Sequence, residues 1–315
     1  MGNSNATTPD EHAEPFDYRK VDLMKIKNVL IMLLLISSGV VAQYSRREVE
    51  TLRFDFDDER DPLMYRPTEL IDIPTAFLLE GGEVTSILRF YEEGGLLGRM
   101  SVGVSSRIMF GVSFGGTRML GADDIIWNEM PGVHFVYRIV KENLDFPEIV
   151  LGIDTQGYGK YWRLDDYRDP SFPDYIPEID KTKQLLDRYS YKSRGFYAMA
   201  SKGYESFRTV GLHIGASVST ETADSDKSPT LFGGLDLELT NDICALMEYD
   251  FAINDDKIKN TNNGRGYLNV GLRWVFSPNM AIEFDVKNLF SDNTGLPGIT
   301  RILKFTYRGL ITNED

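Results

Sequence analysis

Cysteine and histidine are nearly missing from this 315-residue chain, which holds one cysteine, Cys244, and three histidines, His12, His134 and His213. One thiol excludes an internal disulfide framework and a thiolate-rich metal site. Cations are also scarce: 34 Lys and Arg stand against 48 Asp and Glu, a formal net charge of -14. Binding to a phosphate backbone needs clustered Lys and Arg, so nucleic acid is not expected as a partner. Long apolar runs are lacking too. The one within Met24 to Ala42 is too short for a comfortable transmembrane helix.

That stretch instead has a basic start at Lys25 and Lys27, an apolar core from Val29 to Ile36 and small residues at Val40, Val41 and Ala42. This is the layout of a secretory signal peptide over residues 24–42, cleaved between Ala42 and Gln43, and it predicts export. Residues 1–23 are polar and acidic and are expected to be a mis-called extension before a true start at Met24. No cysteine follows the apolar run, so a lipid-anchored N-terminus is not expected. Residues 43–82 show no periodicity, are acidic from Thr51 to Asp61 and are broken by Pro62, Pro67 and Pro74. They read as a lead-in segment, periplasmic or tucked into a lumen formed by the rest of the chain.

From Glu83 onward the residues alternate, most regularly near the C-terminal end. Leu268, Val270, Leu272, Trp274 and Phe276 alternate with Tyr267, Asn269, Gly271 and Arg273, and beyond Ser277-Pro278-Asn279 the pattern resumes. There Met280, Ile282, Phe284 and Val286 alternate with Ala281, Glu283, Asp285 and Lys287. A period of two is the mark of a β-strand. Twelve such runs are predicted: Glu83 to Tyr91, Gly98 to Ser105, Arg107 to Gly115, Gly132 to Val140, Glu148 to Gln156, Gly195 to Lys202, Thr209 to Ser219, Leu231 to Thr240, Ile243 to Ile253, Gly266 to Phe276, Met280 to Lys287 and Arg301 to Arg308. Each approaches the roughly 9 to 11 residues that a tilted strand needs to cross a bilayer.

After the first hairpin the connections alternate between short and long. Ser105 to Arg107, Lys141 to Pro147, Gly203 to Arg208, Asn241-Asp242 and Ser277 to Asn279 are short, and those between them are long. Outer-membrane barrels sort loops in this way, with short periplasmic turns and long external loops. The expected fold is therefore all-β: a single closed antiparallel transmembrane β-barrel of about twelve strands over residues 83–308, with both ends on the periplasmic side and residues 309–315 as a tail.

The phase puts Val104, Phe110, Val112, Phe135, Leu151, Leu212, Ile214, Met247 and Phe305 outward. Inward fall Arg89, Arg99, Arg107, Arg138, Asp154, Asp236, Glu238, Glu248, Asp250, Arg273, Glu283, Asp285, Lys287, Lys304 and Arg308. A charge on the lipid face at mid-membrane costs roughly 2–4 kcal/mol, which explains the sorting. These charges are expected to pair across strands in a narrow, partly water-filled lumen, Arg273 with Glu283 or Asp285 and with Glu248 or Asp250.

Two constellations invite a sharper reading. His213 and Ser217 share the inward face of one strand, but residues four apart in a strand lie roughly 13 Å apart. A general base must sit within about 3 Å of its nucleophile, so His213 reads as a lone polar residue in a wet lumen, and no catalytic residue is expected. The long connection Gly157 to Arg194 gathers Tyr161, Trp162, Asp165, Asp166, Tyr167 and Tyr175. Its acids lack the oxygen-ligand spacing of a calcium loop, and no metal is expected. Aromatics beside carboxylates can hold sugar rings; interfacial girdle and lid packing is the competing explanation and the one expected here.

Pro147 to Asp154, then Gly157-Tyr158-Gly159, then Gly195 to Lys202, with the Pro74-Thr75-Ala76 and Gly81-Gly82 lead-in, resemble the YjbH-like outer-membrane proteins linked to exopolysaccharide and capsule export. The likeness runs from Pro74 to Ser219. It implies a non-enzymatic barrel assisting surface polysaccharide export or assembly, and it implies no catalytic residue. Outer-membrane lipid, polysaccharide and the barrel-assembly machinery are the expected partners, no cofactor is expected, and the site is the outer membrane of a Gram-negative-type envelope. The alternatives are a barrel-embedded hydrolase and a secreted soluble β-sandwich binding protein.

Overall fold

The computed structural model describes residues 66–121, 124–163, 187–205, 209–224, 226–255, 265–291 and 298–311. Fifteen strands occur among them: β1 (Glu83–Tyr91), β2 (Gly95–Ser105), β3 (Ile108–Thr117), β4 (Ile126–Trp127), β5 (Gly132–Val140), β6 (Glu148–Asp154), β7 (Tyr158–Trp162), β8 (Arg188–Tyr191), β9 (Gly195–Glu205), β10 (Thr209–Val218), β11 (Thr230–Glu238), β12 (Ile243–Asp250), β13 (Tyr267–Ser277), β14 (Met280–Lys287) and β15 (Thr300–Leu310). Twelve of them form a ring in chain order, each antiparallel to the next, with β4, β7 and β8 left out. The ring closes where β15 returns to β1, in register from Glu83 with Leu310 to Phe90 with Leu303. Closure leaves no unpaired edge.

The twelve predicted runs are the twelve strands of the ring. The bounds of β1, β5 and β14 coincide with the reading, and the others move by up to three residues. The short strands were not predicted: β4 adds two residues to β3, and β7 pairs with β8 inside the long connection. The run Tyr158-Gly159-Lys160-Tyr161-Trp162 has no apolar and polar alternation to reveal a strand.

The two faces separate cleanly. Leu272 is 52% exposed on the outer face, whereas its neighbour Arg273 is 3% exposed inside. Val104, Phe110, Leu212, Ile214, Trp274 and Phe284 likewise stand outward and exposed. One inward assignment is corrected: Arg107 is exposed in the β2–β3 turn, beyond the end of the ladder, so the strand phase no longer fixes its direction.

Residues 66–80 form a hairpin finger inserted into the lumen from the short-turn end, and polar cavities remain beside it, one lined by Thr68, Glu69, Arg273, Lys304 and Arg308. The finger folds on itself, with Leu70 N–H donating to Ile73 O at 2.9 Å and Thr75 N–H to Thr68 O at 3.1 Å. Its ends are tied to the mouth: Gly82 N–H donates to Gly103 O at 2.8 Å, and Arg66 pairs with Glu142 in the β5–β6 turn at 2.5 Å. Leu70, Ile71, Ile73 and Leu79 are fully buried against Met109, Val136, Val150, Met199, Phe232 and Leu246 of the wall. Each such side chain contributes about 1.5–3 kcal/mol. Gly234 makes room for the finger, since a Cβ there would stand 2.6 Å from Leu70 Cδ1.

Candidate functional site

The polar lumen wall grips the finger at its tip. Three successive tip amides, of Ile71, Asp72 and Ile73, donate to the Glu248 carboxylate at 2.9–3.0 Å. Asn269 Nδ2 donates to the same carboxylate at 2.7 Å, which holds it in place. A row of backbone N–H groups forms a nest for an anion, and here the wall supplies the anion.

Wall cations hold the finger's acids and carbonyls. Asp72 accepts from Arg89 at 2.5 Å and pairs with Lys287. Glu69 lies 3.3 Å from Arg89, 3.2 Å from Arg99 and 3.8 Å from Lys304. Lys304 also donates to Leu70 O at 2.8 Å, Arg273 to Glu69 O at 3.1 Å, and Arg89 to Ile71 O. Tyr158 stacks beneath these cations, 4.0 Å from the Arg89 guanidinium, and Lys287 Nζ stands 3.5 Å from the centre of the Tyr191 ring.

The inward charges thus fall into distinct groups. Arg89, Arg99, Glu248, Arg273, Lys287 and Lys304 touch the finger directly. Glu283 pairs with Arg273 at 2.5 Å and also with Lys304, while Asp285 lies 3.7 Å from Lys304. Asp154 accepts from Arg99 at 2.9 Å. Arg138 sits at the short-turn mouth, paired with Glu148 at 2.5 Å. Asp250 pairs with Arg194 on the long-loop side. Glu238 is half-buried at the end of β11.

His213 is not the lone residue expected, and its partner is not Ser217. Cross-strand register sets it opposite Ser201, and Ser201 Oγ lies 2.8 Å from His213 Nδ1. His213 Nε2 lies 2.7 Å from Asp236 Oδ1. Serine, imidazole and carboxylate therefore form a chain in the order that nucleophilic enzymes use. Here the chain ends on the finger: Ala76 N–H donates to Ser201 Oγ at 2.7 Å, and Ser201 is 1% exposed. With its hydroxyl oxygen so engaged and shielded, the serine anchors the finger rather than meeting a substrate.

On the long-loop side the β7–β8 hairpin buries cations and phenols. Arg188 donates to Asp255 at 2.6 Å and 3.0 Å and to Asp224 at 2.9 Å. Tyr161 packs edge-on against Tyr189 with ring centres 4.9 Å apart, and Trp162 Nε1 donates to Ser190 Oγ at 2.8 Å. Glu221 accepts from Tyr189 N–H at 2.8 Å and from Ser193 N–H. Burial pushes its carboxyl above the usual carboxylate range, against the pull of those two donors and the Arg188 charge. Of the loop residues weighed as a glycan contact against girdle and lid packing, Tyr161 and Trp162 are placed within this packing, while Asp165, Asp166, Tyr167 and Tyr175 lie outside the described residues.

Sequence reasoning missed Glu69, Asp72 and Ser201. The first two are interspersed with apolar residues in Glu69-Leu70-Ile71-Asp72-Ile73, a weak signal of an inserted segment with both packed and paired positions. Ser201 carried no signal of its own, because only strand register brings it to His213.

No family model matches the chain, and no curated protein matches it. Among solved structures it is similar to the KdgM porin, at 10% identity and a TM-score of 0.42 over 71% of this chain and 98% of that one. The NanC porin aligns at 11% identity and a TM-score of 0.38, over 72% of this chain and 98% of that one. Omp33, an outer membrane protein of Acinetobacter baumannii, aligns at 7% identity and a TM-score of 0.37, over 72% of this chain and 96% of that one. At this level the likenesses carry no functional argument, and the closed twelve-strand barrel stands on its own strand pairing.

Proposed function

We propose that the chain is an outer-membrane β-barrel of a Gram-negative-type envelope that takes part in surface polysaccharide traffic without catalysing a reaction. In this reading its lumen is held shut by its own finger. The carrying observation is the reversed polarity of the closed ring: exposed apolar side chains outside and buried charges inside, as at Leu272 and Arg273. In water such an outer face has nothing to cover it, whereas in a bilayer it meets hydrocarbon. The ring also removes the two-sheet layout that a soluble β-sandwich needs. The buried, occupied Ser201 hydroxyl speaks against the hydrolase alternative.

Polysaccharide as the cargo is drawn from the likeness of Pro74 to Ser219 to YjbH-like proteins. The finger enters from the short-turn end, the periplasmic side in this topology, and delivery by the barrel-assembly machinery would leave both chain ends there. Electrophoresis with and without boiling tests the reading, because a closed membrane barrel resists detergent until heated. A heat-dependent band shift of the membrane fraction is expected, together with surface labelling of Met130→Cys and none of Pro278→Cys on intact cells. Migration that ignores boiling, or recovery in the soluble fraction, would refute the membrane barrel.

A further inference from the structure

We infer that the finger masks an anion-binding belt on the lumen wall, and that the belt's ligand is a carboxylate-bearing saccharide chain. The inference deepens the polysaccharide reading above and rests on it. It starts from how the buried cations are paired. Arg99 keeps Asp154 on the wall, and Lys304 and Arg273 keep Glu283, whatever the finger does. Arg89 and Lys287 differ: among the described residues, the carboxylates they pair with are Glu69 and Asp72, both from the finger. Arg89 is 2% exposed and Lys287 is 1% exposed.

Withdrawing the finger would leave both cations facing the opened lumen without the carboxylates they pair with, balanced only by the more distant wall acids, Asp285 for Arg89 and Glu92 for Lys287. Two carboxylates on an incoming chain would replace Glu69 and Asp72 charge for charge. Asp72 already makes such a contact, held between the Arg89 guanidinium at 2.5 Å and the Lys287 ammonium. A planar guanidinium suits carboxylates in particular. The surroundings add a preference for sugars over simple anions. The Tyr158 ring lies 4.0 Å from Arg89 and 5.7 Å from Lys287, and the Tyr191 ring lies 3.5 Å from Lys287. Aromatic faces beside cations are suited to a pyranose ring that carries a carboxylate. A neutral chain could take the stacking but would leave Arg89 and Lys287 unpaired, so opening becomes coupled to an acidic cargo.

Amide hydrogen exchange of the finger in the folded full-length chain tests this, with trigalacturonate as the probe and maltotriose as a neutral control of equal length. Trigalacturonate is expected to speed exchange at Ile71, Asp72 and Ile73 in a concentration-dependent way, and maltotriose to leave it unchanged. The Asp72→Asn chain keeps both cations and should respond at lower trigalacturonate concentration, and Arg89→Gln should abolish the response. Equal responses to the two sugars, or none to either in chains that still show the heat-dependent band shift, would overturn the belt alone. Absence of that shift would instead remove the membrane barrel and this inference with it.

Discussion

At the residue scale, Glu248 and Ser201 make predictions that differ in size. Glu248→Ala leaves three tip amides without an acceptor, at about 1–3 kcal/mol for each unpaired buried group. Ser201→Ala leaves one, Ala76 N–H. Amide exchange across the finger should therefore rise far more in the first variant than in the second, while both keep the heat-dependent band shift. Equal effects would mean that the tip is not held as described. The finger also changes what an inward substitution does. Leu272→Arg puts a charge on the outer face, at a cost of about 2–4 kcal/mol near mid-membrane, and should block folding into vesicles. Asn269, on the inner face, donates to Glu248 and accepts from Asn288 N–H. Asn269→Ser should fold with normal yield yet loosen the finger. Equal folding yields for Leu272→Arg and Asn269→Ser would contradict the assigned faces.

At the scale of elements, the β7–β8 hairpin should respond to pH through Glu221. Its raised carboxyl pKa means that the docked hairpin holds a proton that an undocked one would release. The stabilisation is complete below the usual carboxylate range and is lost as pH rises through the raised value. Protection of the Tyr189 and Ser193 amides, corrected for intrinsic exchange rates, should fall as pH rises above the usual carboxylate range. Glu221→Gln should flatten that slope, and protection that grows with pH would contradict the assignment. The twelve ring strands were legible because each has one face against the outside and one against the lumen, so side-chain chemistry alternates residue by residue. The β7–β8 hairpin was not legible, because Tyr158, Tyr189 and Tyr191 are all buried and leave no polar phase to read.

At the scale of the molecule, the wall was legible and a tucked lead-in was one of two readings, but the contacts between them were not legible. Alternation placed Arg89, Glu248, Arg273, Lys287 and Lys304 inward, but their shared partner is a segment without periodicity, near Arg89 in the chain and far from the other four. Ile71 meets Glu248 across 177 positions. Twelve strands enclose a lumen between the filled interior of about eight and the aqueous channel of about sixteen, and the finger occupies that space. Arg273→Ser removes a donor to Glu69 O and one of the two cations paired with Glu283, so it should raise conductance modestly. Conductance in planar bilayers, compared between the intact chain and one lacking residues 66–80, bears most directly on the plugged barrel. The intact chain should give small or intermittent currents, and removal of the finger should give large, steady steps. Porin-like steps from the intact chain, or no change on removing the finger, would contradict a lumen closed from within.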